Sequence, residues 1–166
     1  MRPLAESIDE IAGCSPQSLP EAVLLGARPV VLRGLVSTWP MVQAARASAV
    51  AGIDYLKRVD HCGMPVVATD APPEAKGRVF YNEDLSGFNF RREQVPLSVA
   101  LDTLRKYLDA ATPPSIYVAS TTLDTFLPGF RAENDVDLRP RDPLASIWIG
   151  NRSRIAAHQD VPDNLA

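Results

Sequence analysis

The sequence predicts an α+β fold, and three features carry that prediction. Short β-branched runs at 29–33, 65–69, 115–119 and 146–149 are each bounded by proline, glycine or polar residues, as strands are. One stretch, 96–110, has helical periodicity, with Leu97, Leu101, Leu104 and Leu108 stepping at four, three and four along one stripe. Finally, 15 of the 166 residues are proline, about twice the usual share of roughly 5%. That density of turns argues against a helix bundle. The length is one domain's worth, 1–166, enough to bury a core.

Along the chain, residues 1–17 read as a short arm or strand leading into the Cys14-Ser15-Pro16 turn. Ser18 is placed to cap a short helix that holds Pro20 and Glu21 in its first turn and stops at Gly26. Pro29 to Arg33 is a strand, and Trp39-Pro40 an irregular connection, because a residue before proline is pushed out of the helical region. Trp39 reads as core packing. Ala44 to Arg58 is alanine-rich with apolar residues at near-helical spacing, interrupted by Gly52.

A strand at 65–69 is followed by a polar loop over 70–77 and a strand at 78–81. Phe88 and Phe90 alternate with polar residues in 82–92, as in a short strand or an ordered loop. The leucine stripe of 96–110 is a core face. From Thr121 to Pro143 the chain is acidic, proline-rich and aperiodic: a long loop with one helical turn around 124–127.

Net charge −3 gives no basic footprint for nucleic acid. The two cysteines, Cys14 and Cys62, are in no metal or redox spacing, so both are expected as free thiols in a reducing compartment. No apolar run approaches the 18 residues of a membrane span, and there is no long leader-like apolar segment. Cytoplasmic location is the expectation.

The chemistry concentrates near the end, in Ser146-Ile-Trp148-Ile-Gly150-Asn-Arg-Ser-Arg-Ile155-Ala-Ala-His158-Gln-Asp160-Val-Pro-Asp-Asn164. It reads as an apolar strand, a Gly-Asn turn, and a second strand carrying His158 and Asp160. Residues two apart on a strand share a face, with Cα atoms about 7 Å apart at a rise of roughly 3.3 Å per residue. An imidazole beside a carboxylate is two thirds of the 2-His-1-carboxylate triad that holds non-haem Fe(II) with positions open for oxygen and a co-substrate. A bare His-x-Asp is a short motif and fits a solvated surface turn as well. His61 sits among Asp60 and Cys62, but adjacent residues face opposite ways on an extended chain, so it reads as a turn histidine.

The run Trp148-Ile-Gly, His158-x-Asp160 and Asn164 resembles the first metal-binding segment of the JmjC-like cupins, the cupin-8 group of Fe(II)- and 2-oxoglutarate-dependent oxygenases. The resemblance extends upstream through Pro29-Val-Val-Leu-Arg-Gly-Leu35, Trp39-Pro40, Ser115-Ile-Tyr117-Val and Leu127-Pro128. It implies N-terminal helices and strands leading into the start of a double-stranded β-helix, the jelly roll of cupins. By resemblance His158 and Asp160 hold Fe(II), and Tyr117 and Asn164 contact 2-oxoglutarate, with no catalytic residue beyond the metal ligands. Tyr117 fits a core tyrosine with a satisfied hydroxyl equally well.

In the resembled family a second iron-binding histidine and a basic residue for 2-oxoglutarate follow later, whereas this chain reaches Ala166 soon after Asp160. The expectation is therefore a truncated cupin-like domain, not competent for turnover alone, whose uncovered strand edges favour homo-oligomers. Ile155 also stands where the family often carries a Thr or Ser that touches the co-substrate. The alternative is a non-catalytic cupin-like binding or scaffold domain. A sugar isomerase or small-molecule cupin would want a His-x-His cluster with a glutamate, which is absent here. For the oxygenase the substrate is a protein, a peptide or a small molecule.

Overall fold

The computed structural model describes residues 7–60, 63–155 and 164–165. Its contacts divide the chain into two compact units, residues 1–62 with 122–146 and residues 63–121 with 147–166.

In the first unit, strand β1 (Asp9–Ala12) pairs in parallel with β2 (Val30–Arg33), with Glu10 opposite Val31. Between them lies a single helical turn, α1 (Glu21–Leu24). Its N-cap is Pro20, not Ser18, and no side chain caps it. Two helices follow, α2 (Pro40–Ala47) and α3 (Ala49–Val59). The sequence predicts an irregular connection at Trp39-Pro40 and one helix from Ala44 to Arg58. Instead Pro40 opens α2, where a missing N–H costs nothing. The break falls at Ser48, which is extended and accepts a hydrogen bond from the Ala51 N–H at 3.0 Å. Gly52 is needed for packing, since a Cβ there would sit 3.3 Å from the Ala45 Cα.

Ile53, Tyr55, Leu56 and Val59 of α3 are buried, as are Leu123 of the turn α5 (Leu123–Phe126) and Leu127 and Phe130 just after it. Tyr55 and Phe130 meet edge to face at 6.3 Å, a favoured aromatic geometry. The loop after α5 is ordered around a buried amide. Asn134, 2% exposed, donates to the Tyr55 hydroxyl (2.6 Å) and the Phe130 carbonyl (2.9 Å), and accepts from the Met41 N–H (3.0 Å).

The second unit is built on a four-stranded sheet in the order β4-β3-β5-β6, with β3 (Pro65–Ala71), β4 (Arg91–Pro96), β5 (Ser115–Thr122) and β6 (Ser146–Gly150). Strand β3 is antiparallel to both neighbours, and Thr69 lies opposite Arg92 on one side and Tyr117 on the other. Helix α4 (Leu97–Lys106) packs on β3 and β4 and buries Leu97, Leu101 and Leu104. Leu108, expected on the same stripe, is half-buried in the turn beyond the helix.

Two sequence expectations fail here. Residues 78–81 form no strand, only an isolated bridge between Tyr81 and Phe88 that closes a loop. The strand falls at 91–96 instead, and its polar run Arg-Arg-Glu-Gln hides it because it is largely exposed. Pro96 lacks an N–H for the ladder, so it ends β4 and caps the start of α4.

Candidate functional site

Tyr117 is the predicted site residue that the structure places most informatively. It sits in the middle of β5, half-buried, opposite Thr69 of β3. Ser115, two residues earlier, shares its face and lies opposite Ala71. The face thus carries the side chains of Thr69, Ala71 and Ser115, all buried, beside the Tyr117 ring.

Two hydroxyls on this face stand out. The Ser115 Oγ is buried and, among the described residues, has no hydrogen-bond partner. Such atoms are rare in native structures because an unmade bond there forfeits the group's hydration. Burial also pushes the Tyr117 hydroxyl above the ordinary phenol value, so at neutral pH it remains an O–H donor.

The stretch that leads towards His158 is fastened to this strand. A Cβ on Gly150 would come within 2.9 Å of the Ile116 carbonyl oxygen and 3.0 Å of Tyr117 Cδ2, so only glycine lets β6 end this close to the ring. Trp148, two residues back in β6, is 57% exposed.

Asn151 then clamps the turn. Its side-chain oxygen accepts from the Ile116 N–H (2.8 Å), its amide NH2 donates to the Pro114 carbonyl (3.1 Å), and its backbone N–H donates to the Ile116 carbonyl (3.2 Å). Arg152, in the left-handed region at φ 44, donates to the Ala111 carbonyl at 3.0 Å. The Arg154 N–H donates to the Gly77 carbonyl at 2.8 Å. Gly77 has φ +82, and any Cβ there would run into the Arg152 carbonyl.

His158 and Asp160, the proposed metal ligands, lie outside the described residues, as does His61. Ile155 is described and exposed, and Asn164 is exposed outside regular structure. Among the described residues no group of three His, Cys, Asp or Glu side chains is placed to hold a metal ion. The sequence reading missed Ser115, Asn151 and Gly77. Asn151 was legible only as half of a Gly-Asn turn, and nothing in a sequence marks a serine hydroxyl as unpartnered.

A family model described as a cupin-like domain matches residues 16–166. The chain belongs to the cupin-like domain family. Searches of curated proteins and of solved structures find no match. The mixed helices and sheets accord with the α+β character of that family. No helix among the described residues is long and apolar enough to cross a membrane.

Proposed function

We propose that this chain is an Fe(II)- and 2-oxoglutarate-dependent oxygenase of the hydroxylase type, or the N-terminal part of one, in a single cupin-like domain at the start of a jelly roll. What supports this is cupin-like membership together with His158-x-Asp160, a few residues after a turn clamped to the Tyr117 strand. The family includes oxygenases of this kind. An imidazole nitrogen and a carboxylate oxygen are suitable donors for Fe(II), and His158 and Asp160 would hold it.

The open hydroxyls fit the co-substrate. A buried, unpartnered Ser115 Oγ and a protonated, half-buried Tyr117 hydroxyl are donors matched to a carboxylate. Asn164 is the third proposed contact. Bound by His158 and Asp160, Fe(II) would let 2-oxoglutarate and a substrate C–H bond each give two electrons to O₂, yielding succinate, CO₂ and the hydroxylated substrate. The residues of the chain orient the co-substrate and keep water from competing. The substrate is a protein, a peptide or a small molecule in a reducing cytoplasm, where Cys14 stays a free thiol. β6, last in the sheet order and carrying exposed Trp148, is the proposed edge for pairing with a second copy.

The test is metal-dependent binding of 2-oxoglutarate, with succinate formation assayed alongside, since this chain alone is expected to bind without turnover. Binding lost in His158→Ala and Asp160→Ala supports the proposal, and binding that survives both contradicts it. Ile155, with no hydrogen-bond donor in its side chain, favours the second reading, a cupin-like binding domain without catalysis. Ligand binding that needs no metal and is unchanged in His158→Ala would support that one.

A further inference from the structure

The loop that replaces the expected strand at 78–81 carries a row of aromatic rings. Phe80 meets Tyr81 at 5.3 Å, Tyr81 meets Phe88 at 5.1 Å, and Phe88 meets Phe90 at 4.9 Å. The three outer rings are far from buried: Phe80 is 43% exposed, Tyr81 49% and Phe88 56%. Contiguous exposed aromatic surface is unusual on a soluble protein and marks contact sites.

The row is held rigidly. The Asn89 side-chain oxygen accepts from the Phe80 N–H (2.8 Å), and its amide NH2 donates to the Arg78 carbonyl (2.8 Å). The Asn82 side-chain oxygen accepts from the Gly87 N–H (3.2 Å), and Asp84 accepts from the Ser86 N–H (3.0 Å) and hydroxyl (2.7 Å). A surface ordered before a partner arrives has less entropy to lose on binding.

Arginines flank both ends. Arg78 stacks its guanidinium 4.7 Å over the Phe80 ring, and Arg92 stacks 5.3 Å over Phe90. Among the described residues neither makes an ion pair. A guanidinium held over a ring and in no ion pair keeps N–H donors for a carboxylate, which its fork geometry matches. Aromatic rings and arginine are also the residue types that concentrate binding energy in interfaces.

We propose that the 78–90 loop, with the start of β4, is a docking surface for an acidic peptide segment of a partner protein. Carboxylates would pair with Arg78 and Arg92, and an apolar side chain would lie on the Tyr81–Phe88 rings. Aromatic rows with arginine also suit single-stranded nucleic acid. The mixed charge of the segment, Glu83 and Asp84 beside Arg78, Arg91 and Arg92, suits separated carboxylates on a peptide better than the continuous phosphate charge of a nucleic acid.

The test uses a fluorescein-labelled twelve-residue peptide of alternating Asp-Glu pairs and single Phe residues. Controls are its lysine counterpart and a labelled oligo-dT of similar length, all read by fluorescence anisotropy on the full chain. The acidic peptide should bind at least tenfold tighter than either control and weaken as salt rises. The Arg78→Ala/Arg92→Ala pair should lose about tenfold, Phe88→Ala about fivefold, and Arg92→Lys part of the Arg92 effect. Circular dichroism melting establishes that each variant is folded, and the exposed Phe88→Ala keeps the test valid if the arginine pair does not fold. Equal or tighter binding of oligo-dT or the lysine peptide, no binding of the acidic one, or folded variants that bind like the parent would overturn the proposal.

Discussion

The two units treat their polar groups in opposite ways. In the first, charged and polar side chains are largely paired within the unit. Asn134 satisfies Tyr55, Phe130 and Met41, the Tyr55 hydroxyl also donates to Glu133 at 2.7 Å, and Glu133 pairs with Arg58 at 3.1 Å. Arg131 bridges Asp124 and Asp135, and Arg139 pairs with Asp137. In the second, among the described residues, Ser115 is buried without a partner, Tyr117 is an unspent donor, and Arg78 and Arg92 lie over rings without an ion pair. A polar group satisfied within the fold serves stability, whereas a buried one without a partner asks for an explanation, a ligand among them. On that basis we propose that the first unit is scaffold and that the second carries the sites.

Substitutions that break this contrast should differ most in the first unit. Asn134→Leu strands the partly buried Met41 N–H and leaves the Tyr55 hydroxyl with its bond to Glu133 alone, and should cost about 2–3 kcal/mol in urea unfolding. Tyr55→Phe removes one hydroxyl and keeps the ring stack on Phe130, so about 1–2 kcal/mol is expected by the same measurement. Ser115→Ala in the second unit should leave stability unchanged or raise it by up to about 1 kcal/mol, because it deletes an unsatisfied buried hydroxyl. The same variant should weaken 2-oxoglutarate binding several-fold in calorimetry. An Asn134→Leu effect no larger than that of Ser115→Ala would erase the distinction.

The smallest effect is in acid. The Arg139 guanidinium and backbone N–H beside Asp137 hold its carboxyl at about 2, below its ordinary 3.8. A lowered folded value contributes stability above the unfolded value, and that contribution fades as pH falls from about 4 through about 2. The thermal midpoint should therefore drop more steeply across this window in the parent chain than in Arg139→Ala. Equal slopes would show that the pair contributes nothing measurable, as exposed pairs often do.

Much of the second unit was legible because its strands and helix follow simple periods. The β-branched runs at 65–69, 115–119 and 146–149 and the stripe of Leu97, Leu101 and Leu104 all lie in the elements expected of them. β4 was hidden because an exposed strand of Arg-Arg-Glu-Gln has no apolar alternation to read. The Ala44–Arg58 helix splits because Ser48 offers a local hydrogen bond that competes with a continuous helix. At the site, Tyr117 was marked by its strand and by family resemblance. The roles of Ser115, Asn151 and Gly77 depend on contacts between segments distant in sequence, which no local pattern encodes.

The central claim is that His158 and Asp160 bind a metal beside co-substrate donors on β5. The most direct measurement is calorimetric titration of Mn(II), a redox-inert stand-in for Fe(II), followed by 2-oxoglutarate, into the parent chain, His158→Ala and Tyr117→Phe. The metal isotherm should vanish in His158→Ala and persist in Tyr117→Phe, with 2-oxoglutarate binding weakened in the latter. Metal isotherms that coincide in the parent and His158→Ala would contradict the account.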